Sequence, residues 1–526
     1  MTRYAMAVDL RRCVGCQTCT AACKEANATP PGVQWRRVLD LESGQFPDVR
    51  RDFLPVGCMH CANPPCEAVC PTTATRKRAD GLVTIDYDLC IGCANCIMAC
   101  PYDARSIVHE AKFAYGDAPM ANERLGADPA RLGVATKCTF CKDRLDQAAR
   151  SGQVPGRDPE VTPACVNSCI AGALVFGDRD DAQSTLSRLL AEAKHFRMHE
   201  GLGTDPGVYY LHEHADAPAR PTGAPVRAAA VRQRYWDARA AGNFIGGGSG
   251  GALIAFAALA FLFGADVRVM MAAGAALIAA GLGCVWFEIG RPWRSLNVFR
   301  HPGSSWMSRE ALVAPFLLGS GLLGAFTGAS AFIIAAGVLG AVYLYCQGRM
   351  LTANIGISAW RGSNVLPLML TTGLAEGAGL LALASPWLPA MVLAGTAAAL
   401  IVLLSLRSLL WKRYVAALEA GGAPEASRDA RAAIGPKLLI LGHALPALVA
   451  AAALLGAPGA AGLVMASGAL CAGAGWWMKY AMVVRAAFIE PLALERPPVR
   501  GGAASVPSVK PASDERPVRR AEEALA

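Results

Sequence analysis

The sequence predicts two unlike halves: a compact α+β domain rich in Cys, then an all-α bundle of eight membrane-spanning helices. Three observations carry this. Sixteen of the 19 Cys lie between Cys13 and Cys169, and the others are Cys284, Cys346 and Cys471. The long uncharged stretches all lie after Asn243. The chain is 53% hydrophobic and only 17% charged, against about 25% charged in soluble domains. At 526 residues it is also long for one domain. A single soluble globule and a disordered chain are both excluded. The net charge of +9 does not point to nucleic acid, because the basic residues sit mostly in short segments between apolar spans.

Residues 1–214 read as the Cys-rich domain. Leu82–Ile85 and Ala173–Phe176 have strand character, and residues 183–199 have helical periodicity. Met1–Asp9 is not followed by an apolar run, so no export signal is expected there. Residues 215–242 read as a linker that opens rich in Pro and Ala. Residues 243–487 hold the spans. Phe244–Phe263 and Val269–Phe287 give one each. Ala311–Gly348 gives two, hinged near Thr327–Ser330. Gly362–Leu406 breaks at Ser385–Pro386 and Leu438–Met478 at Gly456–Gly459, giving two each. Each has the length of about 20 residues that a membrane helix needs. Residues 488–526, with much Pro, Arg and Glu, read as a disordered tail.

The sixteen Cys fall into four sets of four. They are Cys13, Cys16, Cys19 and Cys23; Cys58, Cys61, Cys66 and Cys70; Cys90, Cys93, Cys96 and Cys100; and Cys138, Cys141, Cys165 and Cys169. Pro follows Cys70 and Cys100. Three thiolates from a tight loop wrap one [4Fe–4S] cluster, and the fourth Cys of such a run binds the other cluster of a pair. Zinc sites do not need that fourth Cys, and a disulfide scaffold would not repeat one spacing. Four clusters are therefore expected. Cross-ligation groups Cys13, Cys16 and Cys19 with Cys169, and Cys138, Cys141 and Cys165 with Cys23. It groups Cys58, Cys61 and Cys66 with Cys100, and Cys90, Cys93 and Cys96 with Cys70. Every cluster has a full Cys set, so one-electron relay is expected rather than chemistry at an open iron. Cys284, Cys346 and Cys471 lie in apolar spans and are expected to hold no iron.

The segment from Cys58 to Arg105, with KCTFCKDR and PACVNSC downstream, resembles the four-cluster subunit of complex iron–sulfur molybdoenzymes. The segment Glu288–Asn297, continuing at Trp306–Glu310, resembles the eight-helix anchor subunit of dimethyl sulfoxide reductase. Those are usually separate chains; here they look fused. The resemblance implies an α+β ferredoxin-like four-cluster domain joined to an eight-helix transmembrane anchor. It also implies a separate catalytic subunit holding molybdopterin, so this chain is expected to relay electrons without catalysing. In the family's anchor a His implicated in quinol binding stands where Glu288 stands here.

A redox relay anchored in a lipid bilayer suggests exchange with the membrane quinone pool, which couples electrons to protons. Ionisable residues in spans are costly and are functional candidates. They are Glu288, Arg291, Arg294, Arg309, Glu376 and His443, with Glu310 and Lys479 beside them. Glu288 is the leading proton carrier, with Arg291 or Arg294 orienting a quinone oxygen. The three Arg also fit helix-end anchors, Lys479 a snorkelling side chain, and His443 a helix-packing bond. One His within the spans argues against a bis-His haem.

An even number of spans puts both ends of the anchor on one side. Loops on that side carry Arg291, Arg294, Arg300, Arg309, Arg349, Arg361, Lys412, Arg413, Arg428, Arg431 and Lys437, and the opposite loops only Arg268. The positive-inside rule puts the Cys-rich domain in the cytoplasm, at a bacterial inner membrane. This favours a cytoplasm-facing dehydrogenase, of the sulfite or acyl-CoA type, that reduces quinone. The alternative is a quinol-oxidising subunit of an anaerobic reductase of dimethyl sulfoxide or a similar acceptor.

Overall fold

The computed structural model describes residues 2–47, 49–126, 128–214, 225–421 and 423–499. The Cys-rich half is built on a four-stranded sheet in the order Leu174–Asp178, Tyr4–Asp9, Val208–His214, Ala193–Phe196. Met6 pairs with Phe176 in the antiparallel register and with Val208 in the parallel one. The sheet therefore ties the start of the domain to its end. Hairpins Arg36–Ser43/Arg50–Gly57, Thr75–Lys77/Val83–Ile85 and Arg105–Ile107/Ala135–Lys137 fill the space between Cys loops.

Residues 183–199 do not form one helix. The helix is Thr185–Glu192, and Ala193–Phe196 turns into an edge strand on Val208–His214. Its helical periodicity yields to backbone pairing with a distant strand. That is a tertiary override of local propensity.

Among the described residues, eight helices are long and apolar enough to cross a membrane, running from Ala238–Leu262 to Ala460–Arg485. The breaks fall where the sequence places them: Thr327/Ser330, Ala382/Ala390 and Leu454/Ala460. The first and fifth spans form the centre of the bundle. The first can do so because it carries the run Gly246-Gly247-Gly248-Ser249-Gly250-Gly251. A Cβ at Gly251 would lie 2.9 Å from the Gly340 carbonyl oxygen of the fourth span. Small residues allow this close approach, the usual basis of helix association in membranes. The sixth span, Ala390–Ala420, continues well past Leu406. Arg407 is thus fully buried in the bundle rather than in a loop. The seventh span contains a π-helical turn, Ile440–Ala444, just before Pro446.

Two expectations about the connecting segments need correction. Composition makes 215–242 a linker and 488–526 a disordered tail. Within the first, residues 215–224 lie outside the described residues, but Val226–Arg227 and Val231–Arg232 are strands, and the first span already begins at Ala238. Within the second, residues 500–526 lie outside the described residues, but Phe488–Ile489 and Ala493–Leu494 pair with those same strands. The Arg361–Glu490 ion pair and the bond from Val499 N–H to the His212 carbonyl, 2.8 Å, hold this strap down. Short β pairings here satisfy backbone groups that a polar composition alone leaves to water.

The Cys-rich domain sits on the bundle face made by the loops after the second and fourth spans. One apolar core crosses the boundary, from Cys66, Cys70, Cys90 and Cys96 to Trp236, Phe244, Met350, Trp360 and Met482. The two halves also share a backbone junction. Gly92, Gly133 and Gly290 meet so closely that a Cβ on Gly290 would lie 2.1 Å from the Gly133 carbonyl oxygen.

Candidate iron–sulfur centres

Each Cys set combines a wound loop with a short helix. Cys19 and Cys23 lie on Thr18–Asn27, Cys66 on Pro65–Ala68, Cys96 on Asn95–Met98, and Cys165 on Ala164–Asn167. In all four loops the residue before the second Cys has positive φ: Gly15 (71°), His60 (44°), Gly92 (72°) and Phe140 (54°). That left-handed step turns two Cys of a Cys-x-x-Cys pair toward one centre. Backbone N–H groups then point at the sulfurs, Thr75 N to Cys70 Sγ at 3.4 Å, Phe140 N to Cys138 Sγ at 3.4 Å and Ala173 N to Cys169 Sγ at 3.2 Å. Hydrogen bonds of this kind set cluster potentials.

The Cys side chains gather across the sets. Cys13, Cys16, Cys19 and Cys169 line one small cavity at the surface. The thiols that act on Cys23 are those of Cys138, Cys165 and Cys141. Those acting on Cys61 are Cys58, Cys66 and Cys100, and on Cys93 they are Cys96, Cys70 and Cys90. These groups have the composition that cross-ligation demands. No disulfide joins the described cysteines. A cubane fits such a donor set, since each corner iron takes one thiolate.

The groups also form a line. Cys165 feels Cys19, Cys138 feels Cys58, and Cys66 feels Cys96. Buried cations stand at two of these junctions. Arg36, 1% exposed, lies among Cys19, Cys138 and Cys165. Arg105, 4% exposed, donates from Nη2 to Cys66 Sγ at 3.0 Å and from Nη1 to Thr75 Oγ1 at 3.0 Å. Burial pushes the thiols of Cys66, Cys96 and Cys138 up to about 11, against the pull of these guanidiniums. Burial opposes the charge of Arg105, but the surrounding thiolates outweigh it and hold its pKa above the ordinary Arg value. Neither Arg stands out in the sequence, because each sits in a polar stretch that reads as surface.

One end of the line is at the surface, where Cys16, Val14 and Ile170 are exposed. The other abuts the bundle. Trp236 Nε1 donates to the Cys93 carbonyl at 3.1 Å, and Arg291 N to the Ile91 carbonyl at 3.0 Å. Ser308 Oγ donates to the Pro71 carbonyl at 3.1 Å, and Asn354 Nδ2 to Asn95 Oδ1 at 2.9 Å.

A family model described as a 4Fe-4S dicluster domain matches residues 49–116. A selenate reductase subunit of Mesobacillus selenatarsenatis is 42% identical over 225 residues, covering 40% of this chain and 72% of that protein. The chain belongs to the iron–sulfur subunits of dimethyl sulfoxide reductase-type enzymes. A putative dimethyl sulfoxide reductase iron-sulfur subunit of Halobacterium salinarum is 39% identical to this iron–sulfur subunit, covering 42% of it and 83% of the relative. A sulfite dehydrogenase subunit of Allochromatium vinosum is 36% identical, covering 40% and 83%. The present iron–sulfur subunit carries, among the described residues of the same chain, eight helices apolar and long enough to cross a membrane.

The structure disperses the sequence-predicted quinone residues. Glu288 ends the second span beside Asp237 and Arg239, and its Oε1 is buried without a partner. Arg291 and Arg294 spend their donors on the iron–sulfur domain: Arg291 Nε on the Leu132 carbonyl at 2.8 Å and Arg294 Nη1 on the Tyr87 carbonyl at 2.6 Å. Those bonds make them clamps between the halves, not free ligands for a quinone oxygen. Arg309 bonds the Pro302 and Gly303 carbonyls and stacks over Trp306. Glu376 pairs with Lys479 at 2.5 Å. His443 accepts from Arg407 Nε at 3.0 Å, and its Nδ1 lies 2.8 Å from the Leu438 carbonyl oxygen. Glu310 is 4% exposed, two residues beyond Ser308, and accepts from Gln347 Nε2 at 3.0 Å.

Proposed function

We propose that this chain passes electrons between a molybdopterin-containing catalytic subunit and the membrane quinone pool through four [4Fe–4S] clusters on its sixteen N-terminal Cys. The observation that carries the reading is the line of Cys groups, exposed at Cys16 and ending against the spans at Cys93. The catalytic partner docks around Cys16. Quinone reacts near the set Cys70, Cys90, Cys93 and Cys96, where Glu288 and Glu310 are the nearby carboxyls of the spans. The clusters supply one-electron transfer. Arg36 and Arg105 offset the charge of the thiolates, and the buried core around Cys96 keeps water from the inner cluster. Residues 1–214 form the electron-transfer domain and the spans from Ala238 to Arg485 the anchor.

The basic loops that carry Arg291, Arg294 and Arg361 lie against the iron–sulfur domain, the last through Asn354 and Gly356. By the positive-inside rule this face is cytoplasmic, at a bacterial inner membrane. A cytoplasmic catalytic partner suits a dehydrogenase that delivers electrons to quinone, and the likeness to a sulfite dehydrogenase subunit agrees with it. Relatives named as reductases favour the opposite flow, from quinol to a terminal acceptor. A fusion of a fluorescent protein to Ala526 is expected to glow, and an alkaline phosphatase fusion there to be silent. The reverse pattern places the domain outside and leaves the reductase reading.

A further inference from the structure

The bundle holds a second cluster of charge that relays no electrons. Glu376 and Lys479 are 0% and 1% exposed in their side chains and pair at 2.5 Å. Every element packed around them contributes a polar group. The first span gives Ser249, whose Oγ donates to Glu376 Oε2 at 2.7 Å, and the Phe244 carbonyl, which accepts from Lys479 Nζ at 2.9 Å. The eighth gives Trp476, whose Nε1 donates to Ser249 Oγ at 2.9 Å. The sixth gives the charge of Arg407, which acts on Glu376 and bonds His443 of the seventh. Glu376 Oε1 is left buried without a partner.

Glycines make the room. A Cβ on Gly475 would lie 2.5 Å from Glu376 Oε1. A Cβ on Gly248 would lie 2.6 Å from Lys479 Nζ and 3.1 Å from Gln347 Oε1. Lys479 Nζ and Gln347 Oε1 therefore both face the bare backbone of the first span at Gly248. Gln347 Nε2 in turn donates to Glu310 Oε1 at 3.0 Å and to the Asn243 carbonyl at 3.0 Å. The polar groups run from Glu310, next to the iron–sulfur domain, down to Glu376, roughly 16 Å along its helix from Val365 at a rise of 1.5 Å per residue. Below Glu376 the same helix continues as Gly377–Ala382 with no ionisable residue. Among the described residues, the charged residues in the loops of the far face are Asp266 and Arg268.

A buried ion pair in a bundle is a poor source of stability, because desolvation offsets its attraction. Ionisable groups kept in spans mark proton or ion paths. We propose that Glu376 and Lys479, reached through Gln347 and Glu310, form a proton-exchange site for the quinone reaction that opens to the iron–sulfur face alone. The inference rests on the quinone reading above. Reducing a quinone to a quinol takes two electrons and two protons. The electrons would come from the cluster that Cys70, Cys90, Cys93 and Cys96 would hold. Glu288 delivers one proton from the edge of the bundle; Glu310 delivers the other and is reprotonated from the Glu376–Lys479 pair, which is refilled through Glu310 and Gln347 from water at the same face. Oxidation of quinol runs the same transfers backward. Electrons and protons then cross on one side, and turnover moves no net charge across the membrane.

The test uses the full chain in liposomes, with its catalytic partner, and decylubiquinone or menadione as the probe. Glu376→Gln alone leaves Lys479 buried and unpaired, so the double variant Glu376→Gln/Lys479→Met is made beside it. Cluster signals report folding. The double variant is expected to keep its clusters and its KM for quinone, to lose at least about tenfold in kcat as expected of lost proton transfer, and to show a raised solvent deuterium isotope effect. Wild-type turnover is expected to change pH only on the iron–sulfur side and to generate no membrane potential. A double variant with wild-type kcat overturns the proposal, as does a lower kcat with an unchanged isotope effect, or proton release on the far side. A wild-type protein that exchanges no electrons with either quinone overturns the quinone reading instead.

Discussion

A Cys93→Ser variant is expected to lose electron exchange with quinone by about 100-fold or more, beyond the usual loss from outer-shell changes at metal sites. Three of the four cluster signals should survive. Cys93 shares its environment with Cys70, Cys90 and Cys96, and its carbonyl accepts from Trp236 just before the first span. It therefore belongs to the group nearest the membrane. A serine oxygen is a poor iron ligand, so the inner cluster is lost or altered while the outer three keep their full thiolate sets. The companion Cys16→Ser variant acts at the opposite, exposed end. It should impair exchange with the catalytic partner and leave the reaction between the other clusters and quinone intact. EPR of the reduced proteins with stopped-flow mixing distinguishes the two. Equal losses of quinone exchange in both variants would contradict the linear order.

Glu288→Gln is the second large effect. The side chain ends the second span with one carboxyl oxygen buried and unpartnered. Asp237, its neighbour, caps the first span directly after Trp236. The carboxyl thus stands close to the inner Cys group at the edge of the bundle. Gln keeps its size and hydrogen bonding and removes the titrating proton. Turnover with quinone should fall about 10²- to 10⁴-fold, the usual contribution of a positioned proton carrier. Cluster content and cluster reduction by an artificial donor should stay as in the wild type. A wild-type rate with quinone places the proton carrier elsewhere, with Glu310 as the next residue to change.

The Cys spacing makes the iron–sulfur half legible, because a four-thiolate loop leaves little freedom in sequence. Its left-handed turns are legible only at Gly15 and Gly92. At His60 and Phe140 the same φ is imposed by the loop on residues that do not advertise it. Arg36 and Arg105 are invisible, since a polar neighbourhood hides which cation the fold buries. The spans are legible from hydropathy, but partners within them are not. Glu376 and Lys479 lie 103 residues apart, and no local pattern links them. Arg407 is hidden because Lys412 and Arg413 nearby suggest a loop. The C-terminal strap is hidden for a related reason: two-residue strands pair through backbone groups and leave almost no side-chain signature.

All four clusters are expected to form one path to quinone. The direct measurement is rapid-freeze EPR of the dithionite-reduced protein mixed with an oxidised short-chain quinone. Four reduced [4Fe–4S] signals, from about sixteen irons by the arithmetic of four-Cys cubanes, should vanish together as quinol forms. Fewer than four signals, a zinc-loaded protein, or clusters that stay reduced in excess quinone would contradict it.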